Sequence, residues 1–246
     1  MLMKGVQDRT HRLESSGMAS HRQLVLELGH RPALGREDFL VSTSNQEAVA
    51  WIDRWPDWPR PGAGIALLGP EGSGKSHLAG VWRSRSGAIE IDPGALSSEN
   101  IPTLLGDALY VVLDELDEGV DGTALFHLHN LIVEREGALL LVSKTTPARM
   151  GLRPLDIDSR LKAMPTVAML APDDALLKGV LAKLFTDRQL SVGGEVIDYL
   201  VARMERSFGA ANKIVGEIDR LSLAEGRGVT LHLARRAISQ TPNDEI

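Results

Sequence analysis

The sequence predicts an α/β fold, a doubly wound parallel sheet followed by a small helical domain on its C-terminal side. Short apolar runs alternate with helical segments up to residue 171, and buried parallel strands typically have such continuous apolar sequences. From Pro172 onward the apolar runs stop, and helical patterns continue to Gln240. A glycine-rich loop joins the first apolar run to a helical segment, with the sequence Gly69-Pro70-Glu71-Gly72-Ser73-Gly74-Lys75-Ser76.

Composition limits the possible classes of protein. The chain has 246 residues, of which 43% are hydrophobic, which allows one large domain or a core domain with a smaller second one. It has no cysteine, which excludes disulfides, thiolate metal sites and a cysteine nucleophile. No apolar run is long enough to span a bilayer or to form an export signal, so we expect a cytoplasmic protein. The net charge of -6 argues against binding nucleic acid through the overall field, although a local basic strip would still permit it.

The N-terminal part contains one patterned peptide. Residues 1–22 are polar and show no apolar period, so we expect them to be mobile. Leucines then recur at every second position in Gln23-Leu24-Val25-Leu26-Glu27-Leu28. This peptide is either an edge strand of the same domain or a docking peptide for a groove on another protein. The predicted division of the chain is 1–36, 37–171 and 172–246.

The first predicted helix follows an extended piece around Phe39-Leu40-Val41, is capped by Ser44 or Asn45, and ends at Pro56. Phe39 is either a core residue or a wall for an adenine ring. Tryptophans cluster in and after this helix, at Trp51, Trp55 and Trp58. We expect them to pack at the edge of the core, because basic residues are too sparse here for a platform that stacks nucleic-acid bases.

Five apolar runs are predicted to be the strands, at 65–68, 87–91, 108–113, 138–142 and 167–170. One helix is predicted between the third and fourth strands, at 123–136. After the last strand the predicted helices are 172–187, 194–206, 210–226 and 231–240. Because the glycine-rich loop follows the first strand, it should lie at the carboxyl edge of the sheet, where such folds bind ligands.

The glycine-rich loop fits the pattern G-x-x-x-x-G-K-[ST] and indicates a nucleotide site for ATP or ADP. In such a loop the backbone N–H groups surround the phosphates, Lys75 reaches the β- and γ-phosphates, and the hydroxyl of Ser76 binds Mg²⁺. We expect Lys75 to be an exposed loop residue that contributes little packing. The alternative is a glycine-rich surface turn without a ligand.

Two adjacent carboxylates, Asp114 and Glu115, come directly after the third predicted strand. At the ligand edge of the sheet, Asp114 could hold Mg²⁺ and Glu115 could polarise a water molecule for phosphoryl transfer. The alternative is an ordinary acidic turn, because Asp117, Glu118 and Asp121 follow. The histidines do not suggest another metal, since His127 and His129 are two residues apart on a helix and face different sides.

With these motifs the chain resembles the AAA+ ATPases, and within them the DnaA/Hda family, where it is most similar to the shorter Hda branch. The resemblance extends from Phe39 to the C-terminus and includes the phosphate loop, the strand end at Asp114-Glu115 and the polar strand end at Ser143. The family-specific sequences are Phe126-x-Leu128-x-Asn130 and Asp158-Ser159-Arg160-Leu161. No residues remain after the helical segment for a helix-turn-helix domain, so we expect no DNA-binding domain.

The resemblance assigns roles to single residues. It implies that residues 69–76 and His77 contact the nucleotide, that Ser143 is a polar sensor, and that Arg160 is an arginine finger for a nucleotide on a neighbouring subunit. Arg206 would be the lid arginine, with Arg203 as the alternative, or with no lid arginine and Gly209 in its place. The peptide residues Gln23, Leu24, Leu26 and Leu28 match the family's peptide for the sliding clamp.

The resemblance therefore implies a nucleotide-dependent regulator of replication initiation, which docks on the sliding clamp and promotes hydrolysis of ATP bound to DnaA. One residue departs from the family, because Lys144 stands beside Ser143 where DnaA has an acidic residue. That lysine could neutralise phosphate charge or point into solvent, so we expect weak intrinsic turnover. The alternatives are a stand-alone AAA+ motor or helicase loader that works as a homo-oligomer, and a P-loop kinase for a small metabolite.

Overall fold

The computed structural model describes residues 39–59, 64–117, 119–146 and 149–240. Its strands are β1 (Gly64–Leu68), β2 (Ile89–Glu90), β3 (Tyr110–Leu116), β4 (Ala138–Ser143) and β5 (Thr166–Ala168). The helices before the last strand are α1 (Gln46–Asp53), α2 (Lys75–Ser86), α3 (Ile101–Leu105), α4 (Gly122–Glu134) and α5 (Leu155–Ala163). The helices after it are α6 (Asp174–Asp187), α7 (Gly194–Val201), α8 (Phe208–Glu225) and α9 (Leu231–Gln240).

The five strands form one sheet in the order β2-β3-β4-β1-β5, and every pair is parallel. Strand β1, which leads into the phosphate loop, therefore lies between β4 and β5. Leu68 and Leu116 both pair with Ser143 at the end of β4. The carboxyl ends of β1, β3 and β4 are thus brought to one edge, and the predicted fold class is confirmed.

Alternate residues of the central strands face opposite sides of the sheet, as in a doubly wound fold. On one side, Leu113 and Leu141 pack with buried residues of α3, α4 and α5. On the other side, Val112 and Leu140 pack with buried residues of α1 and α2. This arrangement explains why the strands have continuous apolar sequences, since both faces are covered by helices.

The helices after β5 enclose a hydrophobic core of their own. Its buried members come from all four helices α6 to α9, and Phe185 and Leu200 are fully buried within it. All the described residues belong to one compact unit, so the helical part also contacts the sheet part. None of the helices in the described residues is long and apolar enough to cross a membrane.

Several element bounds differ from the predictions for physical reasons. β2 has only two residues, whereas the apolar run predicted a strand at 87–91; it is an edge strand that pairs with β3 alone. β3 continues past Leu113 to Leu116 through a register shift, so Asp114 and Glu115 lie within the strand instead of after it. α7 ends at Val201, well before residue 206, and Ser207 begins α8 as its cap.

The tryptophans pack at the edge of the core, as the sequence predicts. Trp58 is buried, stacks on Trp82 with 5.1 Å between ring centroids, and donates a hydrogen bond of 2.8 Å to the Trp51 carbonyl. Trp55 meets Trp58 edge to face. The predicted clamp peptide, Gln23 to Leu28, lies outside the described residues, so both interpretations of it stay predictions.

Candidate functional site

The phosphate loop runs from the end of β1 to the start of α2 and requires glycine at its first position. A Cβ on Gly69 would lie 2.3 Å from the carbonyl oxygen of Met169, which follows β5. Gly74, the residue before α2, has a φ of 91° in the left-handed region, which favours glycine. The loop backbone therefore turns tightly against its own sheet.

The helical domain closes over the same loop. A Cβ on Gly72 would lie 2.3 Å from the Cβ of Ser207, and one on Gly74 would lie 2.7 Å from the ring of Phe208. The Phe208 N–H also donates a hydrogen bond of 3.3 Å to the Gly72 carbonyl. The glycines of this loop thus make room for the start of α8. The motif alone gave no sign of these contacts.

Lys75 is buried, with 8% of its surface exposed, so the expectation of an exposed loop lysine is wrong. Its Nζ donates hydrogen bonds of 2.7 Å to the carbonyls of Gly69 and Pro70. Burial holds the pKa of Lys75 below its usual value, and the nearby positive charge of Lys144 lowers it further. The carboxylates of Asp114, Glu71 and Glu115 oppose that lowering.

A buried hydroxyl in the loop fits a phosphate ligand. Ser73 is 2% exposed, and within the described residues its Oγ has no hydrogen-bond partner. An unpartnered buried hydroxyl costs free energy unless something satisfies it. The ammonium group of Lys75 and the hydroxyl of Ser73 are hydrogen-bond donors on one loop. Such donors suit an anion with several oxygens.

Ser76 and Asp114, the residues predicted to hold Mg²⁺, line one cleft of about 220 Å³ between α2 and β3. The ion pair between Arg83 and Glu90 lies on the same cleft. Among the described residues no three histidines or carboxylates come together as a metal site. This donor set suits Mg²⁺, which commonly takes one or two protein ligands and completes its shell with phosphate oxygens and water.

Glu115 adopts a strained backbone conformation beside that cleft. Its φ is 56°, in the left-handed region, and its N–H donates a hydrogen bond of 2.8 Å to Oδ1 of Asp114. The register shift of β3 falls at this point. Asp114 is half-buried and Glu115 is exposed, so the bulge directs the two carboxylates into different surroundings.

Ser143 is 2% exposed at the end of β4, between the ends of β1 and β3. Its Oγ accepts a hydrogen bond of 3.2 Å from the Thr145 N–H. The adjacent Lys144 is exposed and forms an ion pair of 2.6 Å with Glu71 in the phosphate loop. The sequence gave no sign of that pair, because its members are far apart in the chain.

Phe39 packs inside the protein and does not line an open wall. Its ring is 6% exposed and lies 5.2 Å from the ring of His77, between centroids. The following residues, Leu40 and Val41, expose 36% and 50% of their surfaces, and Leu170 after β5 exposes 62%. The two segments that carry these exposed apolar side chains are joined by a hydrogen bond of 2.9 Å, which the Leu170 N–H donates to the Ser44 carbonyl. The sequence analysis did not predict that these three side chains are exposed.

Arg160 lies on α5 and is exposed, but α4 holds its guanidinium in place. Its Nη1 donates a hydrogen bond of 2.6 Å to Oδ1 of Asn130 and lies 3.4 Å from Nδ1 of His129. The guanidinium also sits over the Phe126 ring, 5.0 Å from its centroid. His129 is buried, and that burial, followed by the charge of Arg160, lowers its pKa.

No family model and no curated protein sequence matches the chain. Among solved structures, domain III of the Thermotoga maritima replication initiation protein DnaA matches with a TM-score of 0.69 and 16% identity, over 85% of this chain and 97% of that one. AMPPCP-bound DnaA from Aquifex aeolicus matches with a TM-score of 0.63 and 17% identity, over 84% of this chain and 68% of that one. The chain has the AAA+ fold of DnaA domain III.

The same AAA+ fold occurs in proteins with other names. The FIGL-1 AAA domain in complex with ADP matches with a TM-score of 0.60 and 13% identity, over 87% of this chain and 86% of that one. Since all these identities are low, the similarity establishes the fold, and residue chemistry must carry any statement about function.

In this AAA+ fold the expected lid arginine has other partners. Arg206 forms an ion pair with Asp174 at the start of α6 and also donates to the Pro172 carbonyl at 3.5 Å. The alternative, Arg203, stacks on the Tyr199 ring at 4.1 Å. Gly209 lies in the first turn of α8, immediately after Phe208, which contacts the phosphate loop.

Proposed function

We propose that this chain is a nucleotide-binding AAA+ regulator of replication initiation, similar to Hda, which docks on the sliding clamp and promotes hydrolysis of ATP bound to DnaA. The observation that carries the proposal is the arrangement of Arg160. Its guanidinium is exposed yet fixed by Asn130 and Phe126 on α4, as a cation must be to enter a neighbour's nucleotide site.

The nucleotide part of the proposal rests on the phosphate loop. Lys75 and the loop N–H groups would hold the phosphates of ATP or ADP, and Ser76 with Asp114 would hold Mg²⁺ in the cleft that they share. A bound Mg²⁺ would neutralise phosphate charge during phosphoryl transfer. Glu115 is then the candidate for orienting water, and Ser143 would report on the terminal phosphate from the neighbouring strand end.

The action on a neighbour rests on charge. An arginine finger stabilises the negative charge that develops on the transferred phosphoryl group, and it contributes about 10³–10⁵ in rate. Arg160 would supply that charge to DnaA-bound ATP. The exposed apolar Leu155, at the start of the same helix, would add contact area to this face.

The clamp part of the proposal rests on Gln23, Leu24, Leu26 and Leu28 alone. In an extended peptide, alternate leucines present one apolar row to a groove. Burial of leucines at roughly 1.5–3 kcal/mol each, less the cost of ordering the peptide, would give a micromolar affinity.

The test of the function is single-turnover hydrolysis of radiolabelled ATP bound to DnaA, measured with this chain, with clamp loaded on DNA, and with both together. We expect marked acceleration only when both are present. The alternative, a homo-oligomeric AAA+ motor or helicase loader, would instead hydrolyse its own ATP at a rate that rises with its own concentration. That outcome, with no effect on DnaA, would replace the proposal.

The test of the nucleotide site is calorimetric titration of Lys75→Met with Mg-ADP and with a non-hydrolysable ATP analogue. Loss of the charged hydrogen bonds to phosphate should weaken binding by about tenfold to a hundredfold or more. Lys162→Met is the matched control, because Lys162 is half-exposed and pairs with Asp158 on α5. Since Lys75 is buried, a thermal melt of each variant must accompany the titration.

The test of the clamp peptide uses the double substitution Gln23→Ala and Leu24→Ala. Surface plasmon resonance on immobilised clamp should show lost binding, while the thermal melt stays unshifted. A lowered melting temperature with unchanged clamp affinity would instead identify the peptide as an edge strand of the domain.

A further inference from the structure

We propose that Lys144 selects for nucleoside triphosphates over diphosphates at this site, by exchanging its ion pair with Glu71 for the terminal phosphate. The inference rests on the proposed nucleotide site and goes beyond it, because it gives a role to a residue that departs from the family pattern. The ligand class is a nucleotide with a γ-phosphate.

The first support is position. Lys144 directly follows Ser143, at the end of the strand that pairs with the phosphate-loop strand β1. Its Nζ lies 2.6 Å from Oε2 of Glu71, which is a residue of the phosphate loop itself. A lysine side chain anchored there can therefore already reach the loop that would hold the phosphates.

The second support is that this ion pair is easily exchanged. The side chains of Lys144 and Glu71 are 67% and 84% exposed. Exposed ion pairs contribute little to stability, because water screens them and ordering the side chains opposes them. A terminal phosphate carries more negative charge than one carboxylate and accepts more hydrogen bonds. Lys144 would lose little by leaving Glu71.

The third support is the charge around the loop. The two ammonium groups contact neighbouring residues of one loop, because Lys75 donates to the Pro70 carbonyl and Lys144 pairs with Glu71. The positive charge of Lys144 also lowers the pKa of Lys75. A γ-phosphate beside Lys75 would interact favourably with both cations, and a diphosphate lacks that group. Asp114 and Glu115 are the acidic groups on the same edge, and they disfavour the extra phosphate unless cations offset them.

The experiment is calorimetric titration of Lys144→Gln with Mg-ADP and with Mg-AMPPCP, a non-hydrolysable ATP analogue. We expect affinity for AMPPCP to fall about tenfold, while affinity for ADP stays within about twofold. Lys144→Arg, which keeps the charge, should retain most of the preference.

Glu71→Gln removes the same ion pair from the other side. Because it releases Lys144, it should raise the affinity for AMPPCP relative to that for ADP. Equal losses for both nucleotides in Lys144→Gln, or the same loss in Glu71→Gln, would show that the pair only shapes the loop and would overturn the inference. If the unmodified protein bound neither nucleotide, the proposed function would fail first, and that result is distinct from either outcome.

Discussion

Two cations of this molecule, Lys75 and Arg160, are held in opposite ways. Lys75 is buried, and backbone carbonyls of its own loop accept its hydrogen bonds. Arg160 is exposed, and side chains of a neighbouring helix hold it through Asn130 and the Phe126 ring. A cation enclosed by its own loop can act only on a ligand inside that loop, whereas an exposed and fixed cation can act on a partner.

The two regions also differ in what a substitution would disturb. Around Lys75, glycine backbone and the start of α8 are in close contact, so changes there should affect stability as well as the proposed ligand binding. Around Arg160, the contacts are among side chains at the surface, so changes there should affect a partner's reaction and leave the fold intact. The following predictions test this separation.

The largest effect is expected from Arg160→Ala. Stimulated hydrolysis of DnaA-bound ATP should fall by about 10³ or more, because an arginine finger supplies that factor. Nucleotide binding by the variant itself should be nearly normal. Lys162→Ala, on the same helix, is the control and should retain stimulation. If Arg160→Ala retained stimulation within about twofold of the unmodified protein, far below that range, the finger assignment would be wrong.

The next effect is on stability at the phosphate loop. Gly72→Ala should lower the free energy of unfolding by about 2–4 kcal/mol, because its Cβ would overlap Ser207 and its φ is 70°. Gly87→Ala is a matched control, since Gly87 has a φ of 74° but nothing within 4 Å of its Cβ. Urea unfolding of both variants separates backbone strain from the contact with α8. Equal losses in the two would show that the contact contributes nothing.

A smaller effect is expected from the residue that positions Arg160. Asn130→Ala should lower stimulated hydrolysis about tenfold, because the guanidinium loses a charge-assisted hydrogen bond but keeps the Phe126 ring. A positioning role predicts a lower maximal rate with unchanged half-saturation by DnaA and an unshifted melt. His127→Ala, at an exposed position of the same helix, provides the comparison. A shifted melting temperature with normal rate would identify Asn130 as structural only.

The smallest effect is a pH dependence of stability from His129. Its pKa in the folded protein lies below the ordinary value of 6.5, mainly because it is buried. The unfolded chain therefore binds a proton first as pH falls below about 6.5, so stability falls with pH until the folded pKa is reached. His129→Gln should flatten this dependence in urea unfolding at pH 7.5 and 5.5. Identical slopes in the variant and the unmodified protein would contradict the assignment.

Much of the fold follows from the sequence. Continuous apolar runs predicted β1, β3 and β4, because strands covered on both faces have no polar side to reveal a period. β5 was also predicted, although it is an edge strand with only its central residue, Val167, buried. The edge strand β2 was predicted too long, and the short helix α3 was not predicted. Each depends on a few contacts with neighbouring elements and not on a local pattern. The sequence pattern also predicted helices after residue 171, where the structure has α6 to α9.

The sequence by itself determined the phosphate loop and predicted that Asp114 and Ser143 lie near the carboxyl edge of the sheet, because an apolar run leads into each of them. Arg160 was singled out by family resemblance and not by a local pattern. Only the tertiary structure decided that α8 closes on Gly72 and Gly74, that Glu71 meets Lys144, and that Asn130 fixes Arg160. These contacts join residues distant in the chain, and their geometry depends on how whole elements pack. No local pattern of residues contains that information.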